Sequence, residues 1–188
     1  MPMPQFDQKT LVQRLEFKDG TIDLMGKRLM LYPSYFIALY TEAVSNQPKH
    51  TSRIYYLMKN SMAGGFADTI GKSFNLTFGD YIKFFIEVVK MSGWGITTIA
   101  KLDETEKYVV VDIADSPIAT YLRGKVDSPC DHVIRGFLAG GTTLAFGKEV
   151  DAIEIECTAL GAERCRFMID SIDKLSDRFP IIVKDQIW

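Results

Sequence analysis

Three cysteines carry the most distinctive chemistry in this 188-residue chain. Two stand in Glu154-Ile-Glu-Cys157-Thr-Ala-Leu-Gly-Ala-Glu-Arg-Cys165, with seven residues between the thiols. The third lies in Asp127-Ser-Pro-Cys130-Asp-His132. Thiolates joined by a carboxylate or an imidazole make a four-ligand zinc site. Cys157 and Cys165 fall symmetrically about Gly161, so a simple hairpin sets them facing one another across the ribbon. Ser128 and Pro129 read as the N-cap and first position of a long helix, which puts Cys130 at a helix N-terminus. There the helix end lowers a thiol pKa toward the metal-binding thiolate. Glu154, Glu156 and His132 are the candidates for a fourth ligand. Strand alternation sets Glu154 and Cys157 on opposite faces, so a bulge or strong twist is needed for both to reach one ion. The same thiols also fit a plain reduced core pair, because free Cys is among the most buried residue types and no C-x2-C motif is present.

The elements that must position these residues run helical early and strand-rich late. Arg14 to Lys18 and Thr21 to Leu24 form strands around the Asp19-Gly20 turn. Another strand covers Leu29 to Tyr32. Pro33 opens a helix to about Ser45. A second runs from about Ser52 to Lys72, with Gly64 and Gly65 inside it. Asp80 is the expected N-cap of a helix that carries Tyr81, Phe84, Phe85 and Val88 on one stripe and ends at Ser92-Gly93. Trp94 to Leu102 and Tyr108 to Ala114 read as strands around a polar turn. Ser116-Pro117 opens a short helix to about Arg123, and the helix from Ser128-Pro129 runs to about Phe146. Val150 to Asp170 is the cysteine hairpin, turning at Leu160-Gly161. Residues 1–12 read as a loose leader, and 174–188 as a short helix followed by extended chain. The expected fold is a single α+β domain over 1–188, an antiparallel sheet packed against a helical layer.

Composition narrows the function. Hydrophobic residues make up 47% of the chain, enough for a real core. The 22 basic and 24 acidic residues are well mixed, so nucleic-acid binding has no electrostatic footprint. No apolar run is long enough to span a bilayer. The sequence Met1-Pro-Met-Pro-Gln-Phe-Asp lacks the regions of a signal peptide, and an odd number of cysteines does not suggest a secreted disulfide framework. A cytoplasmic location is expected, with thiols free to bind metal.

Cys130, Gly136-Phe137 and Gly140, followed by Glu154-x2-Cys157-x7-Cys165-x-Phe167, resemble the 4-vinyl-reductase domain family. The match covers about residues 108–170. Upstream, Gly20-Thr-Ile-Asp-Leu-Met-Gly-Lys-Arg28 resembles the first hairpin of the longer domain, and Met62-Ala-Gly-Gly-Phe66 its glycine-bearing second helix. The resemblance implies a mixed helix and antiparallel-sheet fold, often dimeric. It implies kinship with sensory modules of phenol- and toluene-responsive regulators, with proteins of bacteriochlorophyll synthesis, and with acyl-binding subunits of the vesicle-tethering transport-protein-particle (TRAPP) complex. In the aromatic sensors zinc is held by residues matching Cys130, Glu154, Cys157 and Cys165, which implies those four as ligands here. A closed set of this kind is structural. The sensors also carry a pocket histidine well upstream of the first zinc cysteine. This chain has only His50 and His132, and Tyr81, Phe84 and Phe85 stand near the corresponding region.

Other patterns are weaker. Tyr81, Phe84, Phe85 and Trp94 are the candidate lining of an apolar ligand pocket, although such a stripe is also ordinary core. Tyr55-Tyr56 with Met58 and Met62 suits core or an interface. Gly140-Gly141-Thr142-Thr143 lacks the strand and lysine context of a phosphate loop. No Ser/His/Asp triad and no nicotinamide fingerprint is recognisable. The reading that follows is a non-enzymatic zinc-containing domain. It binds a hydrophobic or aromatic small molecule or an acyl chain, forms a homodimer and acts as a sensor. An assembly subunit, or a tetrapyrrole vinyl reductase or its accessory, are the alternatives.

Overall fold

A computed structural model of the chain describes residues 8–24, 26–29, 35–45, 47–63 and 78–187. Two antiparallel sheets organise it. The smaller joins β1 (Leu15–Lys18), β2 (Thr21–Leu24) and β3 (Lys27–Leu29) in sequence order. Asp19 and Gly20 turn the first hairpin with φ of 47° and 76°. Two consecutive left-handed residues are what a two-residue hairpin turn of matching twist requires. The expected strand at Leu29 to Tyr32 starts earlier, and residues 30–34, including Pro33, lie outside the described residues.

The larger sheet contains β4 (Ile96–Asp103), β5 (Tyr108–Ala114), β6 (Asp151–Glu156) and β7 (Cys165–Asp170), in the order β4-β5-β7-β6. Register fixes its faces. Val109, Val111 and Ile113 stand opposite Ile169, Phe167 and Cys165. Ile169 and Phe167 in turn oppose Ala152 and Glu154. All eight are buried, so this face is covered. The other face carries Asp112, Arg166 and Glu156, where Arg166 donates two hydrogen bonds to Asp112 at 2.7 Å and one to Glu156 at 3.2 Å. Strand β4 carries a bulge between Ile99 and Lys101.

Helices α2 (Tyr35–Val44), α3 (Pro48–Ser61), α4 (Phe78–Met91), α5 (Pro117–Tyr121) and α6 (His132–Phe146) supply the helical layer. Helix α6 packs on β6 and β7 and against α3. Its contact with α3 is close because Gly136 and Gly140 have no side chain. A Cβ at Gly136 would collide with the carbonyl oxygen of Tyr55, and one at Gly140 with that of Lys59. Gly141 is pressed by the Phe85 ring of α4 in the same way. The glycines of the family-like segment are therefore packing residues.

Several boundaries differ from expectation. Residues 8–12 of the expected leader form a short helix, α1 (Gln8–Val12), because Leu11 is fully buried and the turn packs against α4. Helix α3 starts at Pro48, since proline suits a first helical turn, and Gly64 and Gly65 lie outside the described residues. Asp80 is not an N-cap but sits in the first turn of α4, where a carboxylate favours the helix dipole. Strand β4 begins at Ile96, after Gly95 with its φ of 111°. The tail is not extended. Residues Ile172–Arg178 and Pro180–Ile187 form α7 and α8, and Leu175, Val183 and Ile187 bury themselves against the core. No helix among the described residues is long and apolar enough to cross a membrane.

Candidate metal centre

Helix α6 begins at His132, with Asp131 at its N-cap, and not at Pro129 as the Ser128-Pro129 pattern suggested. The reason is local. Asp131 places its Oδ1 to accept a hydrogen bond from Ser116 Oγ at 3.1 Å, and its main-chain N–H donates to Glu154 Oε2 at 3.0 Å. Those bonds hold the chain extended through Cys130 before it enters the helix. Ser116 meanwhile caps α5 through the N–H of Ala119, as its sequence position suggested.

Strand β6 reaches the same place by a bulge. Glu154 stands opposite Phe167, but Glu156 stands opposite Arg166, so Ile155 is an extra residue. The extra residue inverts the alternation. Glu154 and Cys157 then share the covered face, and Glu156 turns to the outer face and Arg166. The objection to Glu154 as a ligand is removed, and Glu156 is excluded. A 3-10 turn at Thr158–Leu160, with Gly161 at φ 96°, carries the chain back to Cys165. The main-chain N–H of Thr158 donates to Cys165 Sγ at 3.4 Å, which orients that sulfur.

Ligand atoms of Glu154, Cys157 and Cys165 lie within 4.8 Å of one another. Cys130 joins at one side, its sulfur 3.9 Å from that of Cys157. Two sulfurs on a tetrahedral zinc, each about 2.3 Å from the ion, are about 3.8 Å apart. All three thiols are free and buried, and Glu154 is 1% exposed. The donor set and its spacing therefore fit zinc.

The protons of this cluster support that fit. The neighbouring Cys130 and Cys165 thiols pull Cys157 down to about 2, a thiolate. The same contacts, and then burial, push Cys130 and Cys165 well up. Burial raises Glu154, and it raises Asp131 to about 7, with the Cys157 charge adding to both. Acidic groups crowded in a buried space keep their protons unless a cation replaces them. Glu154 Oε1 and Asp131 Oδ2 are buried without a hydrogen-bond partner. Such orphaned acceptors are costly and suit an ion.

His132 does not join the ligands. It is buried rather than partly exposed, its Nδ1 is 3.4 Å from Arg135, and burial followed by the Arg135 charge lowers it to about 3. Sequence reasoning missed Arg135, Gln186, Tyr55 and Lys59, which form a buried polar web beneath the site. Arg135 is fully buried and sits 4.4 Å over the Tyr55 ring. Tyr55 and Lys59 both donate to Asp151 Oδ1 at 2.7 Å. Only the spacing of Tyr55 and Lys59 at i and i+4 hinted that they act together.

The four candidate pocket residues lie in or beside the core. Tyr81, Phe84 and Phe85 are buried, Phe85 stacks on Phe137 with centroids 5.3 Å apart, and Trp94 tilts against Phe137 at 6.3 Å. An open groove of about 790 Å³ runs close by, lined by Lys90, Gly93, Gly95, Ile96, Asp115 and Tyr121 among others, and not by those four.

Residues 109–171 match the vinyl-4-reductase domain. The matched segment spans β5 to β7 and contains Cys130, Glu154, Cys157 and Cys165. The resemblance seen in the sequence is thereby borne out. The phenol-responsive sensory domain of the transcription activator PoxR, solved with phenol, superposes with a TM-score of 0.77 at 17% identity and 90% coverage of both chains. A trafficking protein particle complex subunit 3 from Naegleria fowleri, covalently bound to palmitic acid, gives 0.50 at 12% identity over 73% of this chain and 93% of that one. An uncharacterized protein of Methanocaldococcus jannaschii is 27% identical over 94 residues, 50% of this chain. The chain matches about half the length of that relative, 53%. The fold is thus that of the vinyl-4-reductase domain, an α+β arrangement as expected.

Proposed function

We propose that this chain of vinyl-4-reductase fold is a zinc-containing module that binds a hydrophobic or aromatic small molecule and acts as a sensor or regulator. The observation that carries the metal is the buried Glu154, Cys157 and Cys165 group, with an unpartnered Glu154 oxygen and Cys130 beside it. Zinc held by Cys130, Glu154, Cys157 and Cys165 braces the start of α6 against the β6–β7 hairpin. With four protein ligands it offers no open position, so its role is structural. The likeness to a phenol-binding sensory domain supports a ligand of similar class. Tyr81, Phe84, Phe85 and Trp94, grouped around Phe137, form the wall to which an aromatic ligand is assigned. A homodimer in a reducing cytoplasm completes the reading.

An assembly subunit is the second reading, supported by the palmitate-bound relative of the same fold. Native and denaturing mass spectrometry of the purified protein separates the two. One zinc per chain with an aromatic adduct is the expected result. An acyl chain in the extract favours the assembly subunit, and absence of metal in chelator-free preparations overturns the zinc reading.

A further inference from the structure

Gln186, near the end of the chain, grips the main chain of a proposed zinc ligand. Its Oε1 accepts from the N–H of Glu154 at 2.8 Å, and its Nε2 donates to the carbonyl of Glu154 at 2.8 Å. A side-chain amide here does what a neighbouring strand would do on the free side of β6. Gln186 is 6% exposed. Arg135 locks it in place, with Nη1 donating to Gln186 Oε1 and Nη2 to the Gln186 carbonyl, each at 2.8 Å.

The contacts close a ring. Glu154 is held at its carboxylate by Asp131 at the start of α6, and at its backbone by Gln186, which Arg135 on the same helix fixes. Helix α8 is therefore one of three parts that set the position of Glu154. We infer that Gln186 is a positioning residue for the zinc cluster, and that the docking of α8 is tightened by metal binding and loosened by its loss. This rests on the zinc reading above. Linkage makes the effect reciprocal, because a helix that improves the metal site must itself be stabilised by the metal.

Hydrogen exchange of residues 180–187 in the full chain, with zinc and after chelation, tests the inference without any substitution. Exchange there should slow at least several-fold on zinc binding. Zinc affinity of Gln186→Ala, measured by competition with a chromophoric chelator, should fall by about 10- to 100-fold, the usual effect of removing an outer partner of a metal ligand. Gln186→Glu, which cannot donate to the Glu154 carbonyl, should fall similarly. A purely structural Gln186 would lower stability but leave both the affinity and the zinc dependence of exchange unchanged. That outcome, with zinc bound to the unaltered chain, overturns this inference alone. If the unaltered chain binds no zinc, the metal reading falls and this one with it.

Discussion

The main-chain N–H of Asp131 donates to Glu154 Oε2 across 3.0 Å, and so ties the start of α6 to the bulge of β6. The tie brings together residues 23 positions apart in sequence. It also aims the other Glu154 oxygen, which has no partner, toward the thiols.

From that arrangement, Cys157→Ser and Cys165→Ser should each lose zinc. The loss should lower the melting temperature by on the order of 10 °C, since about 1 kcal/mol shifts a domain of this size by a few degrees. Elemental analysis and thermal denaturation measure both. Full zinc content in both variants would sink the assignment.

The bulge at Ile155 makes a sharper test. Glu154→Gln should weaken zinc binding at least about tenfold, as loss of even an outer partner does. Glu156→Gln should leave it unchanged, because Glu156 faces Arg166 on the other side of the sheet. Equal effects in a chelator competition would mean that the parity of β6 has been misread.

Gly136→Ala and Gly140→Ala should each cost about 1–3 kcal/mol, the usual range for overpacking. Their new methyl groups meet main-chain carbonyls of α3, which cannot rotate away. Urea denaturation gives the number, and a stabilising alanine at both sites would contradict the close helix pair.

Lys59 is 4% exposed and pairs with Asp151. Lys59→Met should cost about 3–5 kcal/mol by leaving a buried carboxylate without its cation. Adding Asp151→Leu to that variant should recover part of the loss. An unchanged unfolding midpoint in the single variant would argue against a paired charge.

Burial, and then Asp151, hold the Tyr55 hydroxyl well above its ordinary value. A group raised in the folded state adds stability that is complete below its unfolded value, near 10. That stability is lost as pH rises past it toward the folded value. Folded protein should therefore keep Tyr55 neutral at pH 11, and unfolding there should release one more tyrosine proton than in Tyr55→Phe. Ultraviolet titration of phenolate in both proteins is the check.

The donor residues were legible in the sequence because thiols are few and their spacing is distinctive. The α+β class and the Asp19-Gly20 and Gly161 turns were legible too, since left-handed positions leave a glycine signature. The start of α6 was not. Ser128-Pro129 is a good local signal, but Asp131 is captured by Ser116 and Glu154 from elsewhere in the chain. Nor could alternation along β6 foretell Ile155, because a bulge depends on both strands. Arg135 and Gln186 meet across 51 positions, and neither carries a local pattern that announces the other. A stripe such as Tyr81, Phe84 and Phe85 reads the same whether it lines a cavity or fills a core.

The interruption in β4 between Ile99 and Lys101 has a consequence for solubility. Among the described residues β4 is the outermost strand on its side of the larger sheet, with Ile96 66% exposed at its start. A straight strand there would present an even row of amides as a template for stray chains. The bulge bends that row out of register, and the exposed Lys101 sets a charge beside it, so uncontrolled strand-by-strand growth into fibrils is disfavoured.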